Sequence, residues 1–245
     1  MRIAIISDIH ANLPALEEAF KSIDGQKVDA IYCLGDLVGY NIWPNAVISE
    51  IRKRRIPTIS GNHDEKAVEI FNDGRFLKDD DNFACNIINR EHIQYLSMLP
   101  AHIRLEFLIG GKRFNIMMVH GSPYSSKEYL HCDKDEAEFK NIFWEKGIDM
   151  LIFGHTHKPY HRLIHNEFTG ENLHALNAGS VGKPKDGDSR GCYTIITLDH
   201  NSTLAMSNRV SVEFVRVAYD VEKAAKAIEN SLLPPAYATM LRKAY

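Results

Sequence analysis

The sequence predicts a mixed α/β fold, and three observations carry that prediction. Apolar runs of strand length alternate with helically spaced ones through the first sixty residues, Gly110-Gly111 separates two strand-like runs, and strand-like runs dominate from Asp149 onward. The 245 residues are 44% hydrophobic and 25% charged, an ordinary globular composition that excludes disorder, collagen and coiled coil.

Arg2 to Ser7 is a short apolar strand, and Asn12 to Ile23 is a helix because Leu13, Leu16, Ala19, Phe20 and Ile23 recur at helical spacing. Val28 to Leu34 as strand, Trp43 to Arg55 as helix and Pro57 to Ser60 as strand repeat the pattern, which marks right-handed βαβ units. Arg104 to Ile109 and Lys112 to Val119 flank Gly110-Gly111, a pair able to take the positive φ angles of a two-residue hairpin turn. Asp133 to Lys146 is a helix with Asp133 as N-cap, Glu136 three residues on and Gly147 as its stop. Asp149 to Phe153, Arg162 to His165, Leu173 to Asn177, Gly191 to Leu198, Thr203 to Ser207 and Glu213 to Val217 are strands, so a second sheet is required. An acidic turn and helix over Asn72 to Leu99, and a tail helix from Asp220 striped by Val221, Ala224, Ala225 and Ile228, lie outside this core. No linker or repeat divides the chain, so one domain over 1–245 is expected, with a helical insertion at about 72–99 and C-terminal helices at about 220–244.

Charge and composition narrow the function. With 29 Lys+Arg against 32 Asp+Glu the chain lacks an overall positive field, and nucleic acid is not expected as a main partner. The apolar run Ile3 to Ile6 is too short for a secretory segment and nothing approaches a membrane span, so a cytoplasmic protein with no membrane partner is expected. Cys33, Cys85, Cys132 and Cys192 form no C-x-x-C pair and are expected as free thiols. Arg52-Lys53-Arg54-Arg55 ends the Trp43 helix, where cations favour the negative end of the dipole. Gly187-Asp188-Ser189-Arg190-Gly191 has the spacing of a serine nucleophile elbow, but it opens a strand at Cys192 where an elbow opens a helix.

The chemistry lies elsewhere. Asp8-Ile9-His10, Gly35-Asp36, Gly61-Asn62-His63-Asp64, His120-Gly121 and Gly154-His155-Thr156-His157 each follow a predicted strand. The steps from Asp8 to Asp36 (36 − 8 = 28) and to Asn62 (62 − 36 = 26) are each close to one βαβ unit of ~30 residues, so the clusters can meet at one sheet edge. Within Asp8-x-His10 and His155-x-His157 a spacing of two would point both side chains to one side of an extended backbone. The donors are nitrogen and oxygen with no thiolate, which suits Mn²⁺, Fe, Zn²⁺ or Ni²⁺. More donors than one ion can use imply two, and Asp36, alone in its cluster, is the natural bridging carboxylate. His92, His102, His131, His161, His165, His174 and His200 have no such context and are not nominated as ligands.

These strings, in this order, resemble the calcineurin-like metallophosphoesterase superfamily. Val119-His120-Gly121-Ser122-Pro123, the run Asn177 to Pro184 and the tail Val217-Ala218-Tyr219-Asp220 are similar to the bacterial phosphoesterase branch related to diadenosine tetraphosphate hydrolases. The resemblance implies a four-layer β sandwich flanked by helices. It implies that Asp8, His10, Asp36 and His157 bind one metal and Asp36, Asn62, His120 and His155 the other, with His63 over the substrate phosphate. The expected reaction is hydrolysis of a phosphoester or phosphoanhydride by metal-activated hydroxide, with His63 as general acid and divalent or mixed-valence ions as cofactors. The alternative is a non-catalytic metal-binding scaffold of the same fold, although such scaffolds typically lose a ligand or the acid histidine, all of which are present here.

Protein Ser/Thr phosphatases and symmetric dinucleotide hydrolases, which the chain otherwise resembles, carry Arg shortly after the bridging aspartate and Glu at the end of the asparagine motif. Here the stretch reads Gly35-Asp36-Leu37-Val38-Gly39-Tyr40, and Asp64 closes the second motif, which speaks against protein phosphatase activity and symmetric dinucleotide cleavage. Lys183, Lys185 and Arg190, after the Gly179 loop, are candidates to hold the phosphate together with Asn62. The expected partner is a small phosphorylated molecule, with phosphomonoester, phosphodiester and dinucleoside polyphosphate all open and the oligomeric state unassigned.

Overall fold

The computed structural model describes residues 1–74, 83–199 and 210–245. The strand expected at Thr203 to Ser207, His200 and part of the Asn72–Leu99 insertion fall outside them. In order the elements are β1 (Arg2–Ile6), α1 (Leu13–Asp24), β2 (Ala30–Cys33), α2 (Pro44–Lys53), α3 (Asn62–Asn72), α4 (Phe83–Asn86) and α5 (Arg90–Ser97). There follow β3 (His102–Ile109), β4 (Lys112–Val119), α6 (Glu136–Lys146), β5 (Met150–Phe153), β6 (Tyr160–His165), β7 (Asn172–Asn177), β8 (Gly191–Leu198), β9 (Val210–Val217), α7 (Val221–Glu229) and α8 (Ala236–Lys243).

The strands form two sheets, ordered β2-β1-β8-β9 and β3-β4-β5-β7-β6. β1 and β2 run parallel with Ile3 opposite Ala30, and β4 and β5 run parallel with Ile116 opposite Met150. Alternation along each strand builds the layers. Ile3 and Ile5 of β1 pack with Ile116, Met118, Met150 and Ile152 between the sheets. Ala4 and Ile6, on the opposite face of β1, pack under Leu16, Phe20 and Ile48 of α1 and α2. Met117, Val119, Leu151 and Phe153 turn outward against Phe139 and Phe143 of α6. The resulting order of helices, sheet, sheet, helix is the four-layer mixed α/β sandwich expected.

Local differences have local causes. Pro57 to Ser60 makes one parallel bridge, Thr58 to Cys33, and does not form a strand. The sequence pattern marks no element over 62–71, yet α3 starts there, because the Asp64 carboxylate accepts the Gly61 N–H at 3.0 Å and caps the helix. α6 begins at Glu136 because Asp135, not Asp133, is its N-cap and accepts from Ala137 N–H at 2.9 Å. Among the described residues no helix is long and apolar enough to cross a membrane.

Candidate metal centre

The predicted site residues leave the carboxyl ends of parallel strands. Asp8 and His10 follow β1, Asp36 follows β2, His120 follows β4, His155 and His157 follow β5, and Asn62 and His63 open α3. β1 and β2 belong to one sheet and β4 and β5 to the other, so the cluster straddles both. His155 N–H donates to Asp8 Oδ2 at 3.0 Å and ties the two halves together.

The paired ligands converge by a route other than the extended backbone expected. Asp8 (φ 52°), His10 (48°), Asp36 (52°), His155 (64°) and His157 (59°) all adopt the left-handed region. Such conformations cost about 1–3 kcal/mol each in non-glycine residues and persist where surrounding bonds over-determine them. Here Asp8 N–H bonds Gly35 O at 3.1 Å, His10 N–H bonds Asp36 O at 2.9 Å, and Gly182 N–H returns to Asp8 O at 3.1 Å. The neighbouring glycines allow close approach: a Cβ on Gly154 would lie 2.5 Å from Asp8 Oδ2.

The ring orientations define what the site can accept. His10 Nδ1 faces Val38 O at 3.0 Å, His120 Nδ1 faces Leu34 O at 2.8 Å and His157 Nδ1 faces Lys183 O at 2.5 Å. A carbonyl only accepts, so each Nδ1 donates and each ring turns its Nε2 inward. His10 Nε2 and His157 Nε2 lie 3.1 Å apart. Asp8 Oδ1 is 3.1 Å from His157 Nε2, and Asp36 Oδ2 is 3.6 Å from His10 Nε2 and 3.3 Å from His120 Nε2. Both of these carboxylate oxygens are buried with no hydrogen-bond partner. Their sister oxygens are held, Asp8 Oδ2 by Ser7 Oγ at 2.6 Å and Asp36 Oδ1 by His63 N–H at 2.8 Å. Buried acceptors aimed at one another are costly, and a cation among them removes the cost.

The donors fall into two groups that share Asp36. Asp8, His10, Asp36 and His157 form one, and Asp36, His120 and His155 the other, with donor atoms in each lying within 4.8 Å of one another. Asn62 joins the second, its Oδ1 3.1 Å from His120 Nε2. Burial opposes charge on both Asp8 and Asp36, but the facing imidazoles, His157 on Asp8 and His120 on Asp36, hold both carboxyls below the usual range. Against the same burial, Asp36 drives His120 up to about 10. The cluster therefore draws positive charge, and its residues fit a pair of cations.

His63 stands outside both groups, with its ring 5.0 Å from that of His10 and 4.9 Å from that of Tyr40. Gly39, at φ 95°, leaves the room it occupies, since a Cβ there would sit 2.8 Å from His63 Nδ1. Lys183 is buried with Nζ 4.6 Å from the Tyr40 ring centroid, and burial together with Lys185 lowers it to about 8. Lys185 is lowered by burial while Asp8 and Asp36 pull it the other way. Arg190 is not placed with them: its exposed guanidinium is answered by Asp188 at 2.7 and 3.2 Å. Three neighbours escaped the sequence reading: Ser7 behind Asp8, Tyr40 against His10 and His63, and Tyr129 stacked 4.1 Å from His155. Only Tyr40 lay in a stretch the sequence marks out, the run Gly35 to Tyr40 that carries no Arg.

Residues 1–201 match the model of the calcineurin-like phosphoesterase superfamily domain. The chain belongs to that superfamily. It is 30% identical over 248 residues to an uncharacterized protein of Methanocaldococcus jannaschii, covering 95% of this chain and 93% of the other. A crystal structure of a metallophosphoesterase from Sphaerobacter thermophilus superposes with a TM-score of 0.78 at 29% identity, covering 100% of this chain and 99% of that one. A hypothetical protein from Pyrococcus horikoshii shares the fold, with a TM-score of 0.78 at 21% identity over 98% of this chain and 97% of its own.

Proposed function

We propose that this chain is a dinuclear metal-dependent phosphoesterase. The observation that carries the reading is the buried, unpartnered Oδ2 of Asp36 lying between His10 Nε2 and His120 Nε2, at 3.6 and 3.3 Å. In this reading Asp8, His10, Asp36 and His157 hold one ion and Asp36, Asn62, His120 and His155 the second. The nitrogen and oxygen donor set suits Mn, Fe, Zn or Ni. When bound, such a pair supplies Lewis-acid charge and an activated water for in-line attack at phosphorus.

The chain's own groups do the rest. His63, free of both ligand groups, protonates the departing oxygen. Lys183 and Lys185 bring cationic charge toward the phosphoryl oxygens, and Asn62 can orient them while bound to the second ion. Arg190, answered by Asp188, is not assigned to the phosphate. The substrate is a small phosphorylated molecule met at the sheet edge, and a nucleotide is within this class.

The test compares turnover of a phosphomonoester, a phosphodiester and a dinucleoside polyphosphate with Mn²⁺ supplied. Metal-stimulated hydrolysis of at least one is expected, with loss to background and loss of metal from both sites in Asp36→Asn. Two bound ions with no turnover of any of the three would leave the protein as a metal-binding scaffold.

A further inference from the structure

We infer that the C-terminal helix α8 supplies a specificity-determining wall of the site, with Tyr237 and Tyr40 together contacting a flat ring in the leaving group of the substrate. The inference deepens the phosphoester reading and rests on it.

Tyr40 connects the metal cluster to the tail of the chain. Its ring lies 4.8 Å from that of His10 at 85°, 4.9 Å from that of His63, and 4.9 Å from that of Tyr237 at 70°. Tyr237 belongs to α8, beyond the residues 1–201 that match the superfamily domain, so the domain pattern does not itself supply this ring. The helix is fixed in place. Ile228, Ala238 and Leu241 are buried in one cluster with Ile42 and Trp43 packed on it, Arg242 pairs with both Glu222 and Glu229, and Gly187 N–H bonds Ala244 O at 3.0 Å.

The chemistry follows from this placement. With His63 on the leaving oxygen, the group attached to that oxygen projects to the His63 side of the cluster. Tyr40 is the neighbouring ring on that side and Tyr237 the next, and both are half-buried. Tyrosine rings reward a flat π surface through stacked or edge-to-face contact, which a short alkyl or glycerol group cannot offer. Lys183, over the Tyr40 ring, keeps anionic groups at the inner end of this wall. The substrate class is thus a phosphoester whose leaving group bears an aromatic or heteroaromatic ring.

Isothermal titration of the Mn²⁺-loaded protein with phenylphosphonate and with methylphosphonate isolates the ring, because both carry the same headgroup and neither is an ester. Phenylphosphonate is expected to bind about threefold to tenfold more tightly, the worth of one aromatic pair, and Tyr237→Phe should keep that ratio. In Tyr237→Leu, which retains an apolar side chain for packing but no ring, the ratio should fall toward one, with Tyr40 alone left to meet the ring. Equal affinities in the wild type, or a ratio that survives Tyr237→Leu, would overturn the inference and leave the phosphoester reading standing. Binding of neither ligand would overturn both.

Discussion

Asp36 and His63 touch, the His63 backbone N–H donating to Asp36 Oδ1 at 2.8 Å, yet the proposed reaction gives them separate tasks. Asp36 turns its other oxygen to two imidazoles, whereas His63 presents a ring outside both ligand groups. Replacing His63 by Ala or Asn should therefore leave metal content intact and slow hydrolysis of an alkyl phosphoester by roughly 10² to 10⁴ fold. A p-nitrophenyl ester, whose leaving anion is already stable, should lose much less. Equal losses on both esters would remove the acid role and make His63 a group that steadies the phosphate. Gly39 bears on the same residue by sterics. Its φ of 95° and the 2.8 Å that would separate a Cβ from His63 Nδ1 mean that Gly39→Ala must displace the ring. That variant should reproduce the alkyl-selective defect in milder form with both ions retained, and an unchanged alkyl rate would show that the position of His63 is not critical.

Two glycines, one ending a helix and one in a loop, separate strain from collision. Gly147 ends α6 at φ 61° with nothing within 4 Å of a built Cβ, so Gly147→Ala meets only the left-handed penalty of about 1 kcal/mol. Gly182 packs directly on the backbone of Ile9 between the two ligands of the first motif, so Gly182→Ala should cost several times more and lower metal occupancy as well. Denaturant titration of the two variants reads the contrast, and equal costs would mean that the Gly179–Lys185 loop yields freely. Gly147 was readable from sequence because a helix stop needs only its neighbours. Gly182 was not, since the chain it meets lies more than 170 residues away. The same distinction runs through the fold. Strand alternation and helical stripes located most elements, because each reflects a local periodicity set against a distant core. The start of α3 depended on Asp64 turning back to Gly61, and the spacing of Asp8 and His10 concealed a left-handed bend held by Gly35, Asp36 and Gly182. The candidate metal donors were readable because metal chemistry restricts residue type. The Tyr40–Tyr237 contact was not, because it joins two segments with no shared pattern.

At the scale of the whole molecule, pH and metal act through imidazoles in opposite ways. His161 Nε2 and His174 Nδ1 lie 3.0 Å apart between β6 and β7, and burial lowers both, His174 to about 4 from an ordinary 6.5. The folded pKa is depressed, so below pH 6.5 the unfolded chain takes up protons that the folded one refuses. Stability should fall between about pH 6.5 and 4, on the order of 3 kcal/mol for His174, and His174→Phe should melt with a visibly smaller acid loss over that window. At the sheet edge the requirement is for positive charge, not neutrality. Asp8 and His10 come from one sheet, and His155 and His157 from the other, so ions held among them would cross-link the two layers as well as answer Asp8 Oδ1 and Asp36 Oδ2. A ligand at a hundredfold excess over its dissociation constant stabilises by about 2.7 kcal/mol, and one kcal/mol shifts the melting temperature of a chain this size by about 2–4 °C. Chelation should therefore lower the midpoint by about 5–10 °C, and added Mn²⁺ should restore it. In Asp36→Asn, which lacks the shared carboxylate, the midpoint should respond weakly to either treatment. A midpoint that ignores chelation in protein shown to have lost its ions would mean that the two sheets are joined by their apolar interface alone, with the metal contributing to chemistry and not to the fold.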